Sequence, residues 1–290
     1  MVDERKDFRE HHELWRNAFG DTEDYMEYYF AEKAHGSQVW EDRENGRLCS
    51  MAFFTEYDAL FRGRKCRLPY IVGVATREER RHEGRMTRIL SEGIDWWQEK
   101  KCPLVFLSPA DPAIYDPLGF VPIYWRVSTF VEGKGNLSLE ISCWDELSSD
   151  QKHKVANFAE EQICEKNFDL HLVHHAAYYE EVHRELQALD GALLVFFAEK
   201  RIVGVANWIC EDGKNEVTEL ICLPGESEKV VESLQAWVRG ESLMIDDSMF
   251  LEGLNKKGMQ KKRQEKPYIM CRSLLGEKLD GLRCYINDIT

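Results

Sequence analysis

An apolar strand runs into a turn holding four arginines and a glycine, and then into a helix, along Tyr70-Ile-Val-Gly-Val-Ala-Thr-Arg-Glu-Glu-Arg-Arg-His-Glu-Gly-Arg-Met86. The first backbone N–H groups of a helix have no intrahelical partner, and the helix dipole favours negative charge there. Such a turn can seat a phosphate: the N–H groups point at it, Gly84 lets the chain approach closely, and Arg80, Arg81 and Arg85 add positive charge. An ordinary charged helix start uses the same residue types, so the surrounding elements must decide between the two.

Other clusters carry weaker signals. His171, His174, His175 and His183 invite a metal reading, because histidines three and four apart share a helix face. No cysteine or carboxylate pattern along the chain completes a ligand set, so structural or surface histidines are expected, and no metal. Lys256, Lys257, Lys261, Lys262, Arg263 and Lys266 read as a solvated basic loop. The stretch Asp21, Glu23, Asp24, Tyr25, Glu27, Tyr28 and Tyr29 reads first as a solvated helix face.

The elements that must position the turn follow from periodicity. Residues 8–19 have helical spacing up to Gly20, and Asp21 can cap a second helix over 22–34. Strand-like runs at 37–40, 47–57 and 66–76, the last two joined around Phe61-Arg62-Gly63-Arg64, predict an antiparallel meander. Met86, Ile89, Leu90, Gly93, Ile94 and Trp97 then recur at i, i+3, i+4, i+7, i+8 and i+11, the pattern of a helix with one face on a sheet. A buried strand at 104–108, a Pro-rich turn and a strand running through Phe130 complete an α/β domain over 1–131.

Glu132-Gly-Lys-Gly-Asn136 reads as a linker or hairpin turn, and beyond it the order repeats. Helices at 149–166 and 174–186 precede strands at 193–198, 201–210 and 216–223, a helix at 228–239 and a strand near 244–250. The offset of about 150 residues predicts two copies of one fold, over 1–131 and 132–290, each a mixed, mainly antiparallel sheet flanked by helices. The second copy is degenerate: Glu219-Leu-Ile-Cys-Leu223 leads into Pro-Gly-Glu-Ser-Glu-Lys229, which has no arginine and two glutamates that would repel a pyrophosphate.

Composition bounds the partners. The 290 residues exceed the usual size of one core, and 14 Phe, 11 Tyr and 8 Trp supply ample material for packed interiors. A net charge of −14 repels phosphate backbones and anionic lipid, so neither nucleic acid nor membrane is an expected partner. Nine scattered cysteines without a CxxC pair read as reduced thiols, and the charged N-terminus has no signal-like apolar run, so a cytoplasmic location is expected. Oligomeric state is not readable from the sequence, and a homo-oligomer is compatible with it.

Arg81-His-Glu-Gly-Arg-Met86 resembles the R-x-x-G-x-G/A pyrophosphate loop of the GNAT acetyltransferases, with Met86 in place of the small residue. Ser108-Pro-Ala-Asp-Pro-Ala-Ile-Tyr-Asp-Pro-Leu-Gly-Phe120 is similar to a segment of the enhanced-intracellular-survival branch of that family, which has two GNAT-like domains. Lys266-Pro-Tyr-Ile-Met-Cys-Arg272 and Cys284-Tyr-Ile-Asn-Asp-Ile-Thr290 are similar to the late strands of the same branch.

The resemblance implies a cytoplasmic N-acetyltransferase using acetyl-CoA as co-substrate and a small-molecule or peptide amine, cationic in character, as acceptor. It implies that Arg80, Arg81, His82, Glu83, Gly84, Arg85 and Met86 surround the pyrophosphate, that Val72, Gly73 and Val74 line the pantetheine, and that Ala110 and Asp111 sit near the cofactor. Tyr115 would be the general acid for the departing thiolate, since a phenol's ordinary pKa lies near that of a thiol, and the Thr290 carboxylate the general base. Asp24, Tyr25 and Tyr28 would border the acceptor site. The alternative is a non-catalytic acyl-CoA-binding or assembly protein that keeps the fold without turnover.

Overall fold

The computed structural model describes residues 7–238, 242–246, 248–251 and 259–286. Thr290, Arg239, Lys256 and Lys257 lie outside the described residues.

The chain begins with helix α1 (Arg9–Phe19) and α2 (Glu23–Tyr28), which continues through a widened π-helical turn at Tyr29–Lys33 into the short α3 (Ala34–Gly36). Thr22, not Asp21, caps α2, accepting the Tyr25 N–H at 3.3 Å. Asp21 instead accepts the Trp15 indole N–H at 2.6 Å, so a residue with capping chemistry is recruited by a neighbouring helix. The meander follows as β1 (Gln38–Glu44), β2 (Arg47–Phe61) and β3 (Arg64–Thr76), then α4 (Arg85–Glu99), β4 (Leu104–Leu107) and β5 (Val121–Tyr124).

Further on come β6 (Val127–Glu132), β7 (Glu140–Cys143), α5 (Ser149–Glu165), β8 (Leu170–Leu172), α6 (Ala176–Ala188), β9 (Ala192–Ala198), β10 (Arg201–Glu211), β11 (Lys214–Cys222), α7 (Ser227–Val238) and β12 (Ser242–Ile245). The described elements end with β13 (Met259–Arg263), β14 (Ile269–Ser273) and β15 (Cys284–Tyr285).

These elements form two compact units: 1–124 with 267–283, and 125–266 with 284–289, residue 290 aside. The change of unit falls at Tyr124/Trp125, a few residues before the 131/132 cut suggested by the glycine-rich segment. β6 pairs with β12 and β13, so Gly133 and Gly135 lie inside the second unit. The reverse exchange brings β14 into the first unit, antiparallel to both β4 and β5. Its buried Ile269, Met270 and Cys271 suit a strand with neighbours on both sides.

In the first unit the sheet runs β1-β2-β3-β4-β14-β5, antiparallel except for the β3–β4 pair. Trp15, Tyr29 and Phe30 gather on Phe53, with Trp15 and Tyr29 ring centroids 4.5 Å apart and Tyr29 edge-on to Phe53 at 5.7 Å. Phe54, the next residue of β2, points the other way to Trp40 and α4, as strand alternation requires.

In the second unit the sheet runs β13-β6-β12-β11-β10-β9-β7, with only β11–β12 parallel within it, and β8 pairs in parallel with β15. Trp144, Tyr179, Phe196 and Leu220 are fully buried in its core. Both units thus have the predicted mixed, mainly antiparallel sheet with helices.

Candidate functional site

The register of β2 and β3 shifts in the middle of the first sheet. Phe53 opposes Val72 and Met51 opposes Ala75, leaving Gly73 and Val74 opposite Ala52 alone. This is a β-bulge, which kinks the strand and re-aims its backbone. Gly73 sits in it at φ 61, buried beneath Trp15.

The parallel pairing of β3 with β4 covers only Tyr70↔Phe106 and Ile71↔Leu107. β4 ends at Leu107 while β3 continues to Thr76, so residues 72–76 present one strand edge with no β-partner among the described residues. Bulge and end of pairing coincide at Val72, Gly73 and Val74. Residues 72, 74 and 76 are half-buried while 71, 73 and 75 are buried, the alternation of a strand with one face less covered than the other.

The turn after β3 is anchored by Arg77. Its buried guanidinium donates to the Leu48 carbonyl at 2.6 Å and to Glu13 at 2.9 Å. The sequence shows four arginines here and no sign that this one points inward. A short 3₁₀ turn, Glu78–Arg80, precedes His82 at φ 65 and Gly84 at φ 74. Gly84 is the N-cap of α4 with no side chain capping it, so no side chain takes up the first N–H groups of α4.

The loop arginines divide into two kinds. Arg85 contacts Asp42 at 2.9 Å, Glu44 at 3.3 Å and Glu83 at 2.7 Å, and Arg80 pairs with Glu44 and Glu83. Arg88 joins buried Asp42 at 2.5 Å. Arg81 is exposed, makes no ion pair among the described residues, and its Nε approaches the Thr76 carbonyl at 3.4 Å. Arg80 and Arg85 therefore tie the turn to β1, whereas Arg81 keeps its charge available. A polar cleft of about 260 Å³ lies beside it, lined by Asn17, Ala18, Thr76, Arg77, Glu78 and Arg81 among others.

Tyr115 is buried between two 3₁₀ turns, Pro112–Ile114 and Asp116–Leu118, and packs edge-on to Phe120 at 5.9 Å. Burial pushes its phenol up to about 12, which parts it from the thiol range assumed from reference values and keeps it protonated at neutral pH. Gly119 ends the second turn at φ 79, and Arg272 of β14 donates to the Leu118 carbonyl at 2.8 Å. Ala110 and Asp111 are exposed, and Asp111 caps the first of these turns through the Ala113 N–H at 3.1 Å.

Of the residues assigned to the acceptor side, Asp24 is exposed while Tyr25 and Tyr28 are buried, their ring centroids 6.4 Å apart. They belong to a tyrosine-rich region the sequence did not reveal. Tyr70 has its phenol pushed well above the ordinary value by burial, with Tyr268, Tyr57 and Tyr25 adding to the effect. Tyr57 and Phe106 flank Tyr70 at 6.2 and 5.3 Å, and Tyr124 meets Tyr268 at 6.2 Å. These rings come from α2, β2, β3, β4, β5 and the segment before β14, so no local pattern joins them.

The corresponding place in the second unit is filled. There the parallel pairing ends at Val217↔Ile245 and Thr218 is the extra residue opposite β10, but Glu219 next to it is buried and bound. His174 Nε2 lies 3.0 Å and the Tyr285 hydroxyl 2.8 Å from Glu219 Oε1. Burial opposes a charge on His174, yet the Glu219 carboxylate and the Leu172 carbonyl hold its pKa above the ordinary value. Where the first unit has an arginine-rich turn, Glu226 precedes α7 and pairs with Lys229 and Arg201.

A bulged strand that outlasts its parallel pairing and leads into a helix start without a side-chain cap is the arrangement the α/β fold places here. The model of the acetyltransferase (GNAT) domain family matches residues 4–123, and the chain carries that domain, the domain of acyl-CoA-dependent N-acyltransferases. A protein of unknown function from Enterococcus faecalis V583, described as a probable N-acyltransferase, is similar with a TM-score of 0.73 and 16% identity, over 92% of this chain and 70% of that one. A GCN5-related N-acetyltransferase from Kribbella flavida matches with a TM-score of 0.66 and 17% identity, over 91% and 69%. Eis1 from Mycobacterium abscessus matches with a TM-score of 0.66 and 11% identity, over 94% and 73%. No curated protein matches by sequence. These matches span both units, in keeping with tandem GNAT-like domains. No helix among the described residues is long and apolar enough to cross a membrane.

Proposed function

We propose that the first unit transfers an acetyl group from acetyl-CoA to an amine, a small molecule or a peptide, by direct attack of the amine on the thioester. The observation that carries this reading is the coincidence of the Gly73–Val74 bulge with the end of β3–β4 pairing, immediately ahead of the uncapped α4.

The free edge over Val72, Gly73 and Val74 offers backbone N–H and C=O groups to the two amides of a pantetheine arm. The N–H groups at Gly84, Arg85 and Met86 hold the pyrophosphate, with His82 and Glu83 shaping the turn, Arg80 and Arg85 bracing it and Arg81 supplying the free charge. A backbone N–H near Val74 stabilises the oxyanion. Tyr115, held protonated by burial, donates toward the departing thiolate. The acceptor meets exposed Asp24 and the rings of Tyr25 and Tyr28, a setting that favours a cation. Its proton leaves to water, and Ala110 and Asp111 flank the cofactor.

The test is thiol release from acetyl-CoA against a panel of cationic amines. Turnover on one amine, lost in Tyr115→Phe, is the expected result. Tight coenzyme A binding with no thiol release on any amine would replace this reading with that of a binding protein.

A further inference from the structure

Helix α5 carries Glu160 and Cys164 one turn apart, and β8 brings His171 against the same turn. His171 Nε2 lies 3.1 Å from Glu160 Oε1, and Cys164 Sγ lies 3.6 Å from the same oxygen. All three donor atoms lie within 4.8 Å of one another. Around a tetrahedral zinc ion with bonds of about 2.0–2.1 Å to nitrogen and oxygen and about 2.3 Å to sulfur, nitrogen and oxygen stand about 3.4 Å apart and sulfur and oxygen about 3.6 Å. The side chains already hold nearly these separations.

We propose that Glu160, Cys164 and His171 form a binding site for a zinc-class divalent cation, with the remaining coordination position open to water. The donor set is thiolate, imidazole and carboxylate, which suits a borderline transition metal and not magnesium or calcium, whose sites are built from oxygen. The carboxylate is oriented from behind: the His174 backbone N–H donates to Glu160 Oε2 at 2.9 Å, leaving Oε1 toward the other two donors. His174 is itself held by Leu172 and Glu219. His171 is buried, Glu160 half-buried and Cys164 exposed, so the site has a rigid floor and an open side for entry. On binding, the Cys164 S–H, which now faces Glu160, gives its proton to solvent and its sulfur bonds the ion. The histidine run drew attention to this region in the sequence, but the completing ligands come from the preceding helix.

The full-length protein, stripped by a chelator, is titrated with cobalt(II) while thiolate-to-cobalt charge-transfer and tetrahedral d–d absorbance are recorded. Saturable binding of one cobalt per chain with both bands, displaced by zinc, is expected. Cys164→Ala, at an exposed position that folding does not depend on, is expected to lose the charge-transfer band, and Glu160→Gln to weaken binding by about tenfold or more. Absence of the band in the native protein, or its persistence in Cys164→Ala, would overturn the proposal.

Discussion

A Cβ placed on Gly73 would lie 2.2 Å from Cζ3 of Trp15, so the bulge of β3 and the helix above it are fitted together with no space for a side chain. Gly73→Ala would force the indole aside and strain a residue at φ 61. The expected cost is about 2 kcal/mol or more in stability. Thermal unfolding measures it, and the KM for acetyl-CoA should rise in parallel because the proposed pantetheine edge is the same backbone. An unchanged melting temperature would show that Trp15 can move freely.

Arg81 and Arg85 should respond differently to truncation. Arg81→Ala removes a charge that no carboxylate among the described residues engages and is expected to raise the KM for acetyl-CoA about tenfold, with kcat and melting temperature nearly unchanged. Arg85→Ala leaves Asp42, Glu44 and Glu83 without their shared partner and is expected to lower the melting temperature as well. Steady-state kinetics combined with thermal unfolding separates the two roles, and equal effects on both would refute the division.

Tyr115→Phe is expected to lower kcat by roughly 10²- to 10⁴-fold while leaving the KM for acetyl-CoA unaltered. The pH profile adds a second check. A general acid works in its protonated form, and burial holds this phenol at about 12, so Tyr115 should cause no loss of rate as pH rises from 7 to 10. A basic limb in that range that disappears in the variant would mean the phenol titrates far lower than its burial implies.

Glu216 makes stability depend on pH in the second unit. Burial, and then the neighbouring Asp246 carboxylate, push it up to about 7 from the ordinary 4.5 of a glutamate. The folded state therefore binds the proton more tightly than the unfolded chain, and stability falls as pH rises from 4.5 to about 7, then levels. Glu216→Gln should flatten that slope and raise stability at pH 8 by on the order of 2 kcal/mol, allowing for partial exposure. Chemical denaturation at pH 5 and pH 8 reads the difference, and an unchanged slope would count against the assignment.

Much of the fold could be read locally. Helix α4 follows from the spacing of Ile89, Leu90, Ile94 and Trp97, all buried on one face, and its open start follows from Gly84. The repeat of helices, meander, helix and strand announced the second unit, and the glutamates of Pro-Gly-Glu-Ser-Glu ahead of α7 include Glu226, which pairs with Lys229 and Arg201. Where local chemistry left a choice, it misled: Asp21 has every property of a cap, yet Thr22 takes that role because Trp15 claims the carboxylate.

The sequence by itself determined the class of the first domain and the place of its strand-to-helix turn, because periodicity, a helix start and a glycine are short-range features that the backbone obeys within a few residues. Tertiary structure decided which arginine stays free, since, beside Glu83 of the turn itself, the carboxylates that engage Arg80 and Arg85 are Asp42 and Glu44 of β1, some forty positions earlier. It also decided that β14 completes the first sheet, that five separate segments pool their tyrosines, and that Cys164 and Glu160 face His171. Strand order, charge pairing and donor convergence depend on what packs opposite, and a chain read residue by residue carries no record of its opposite side.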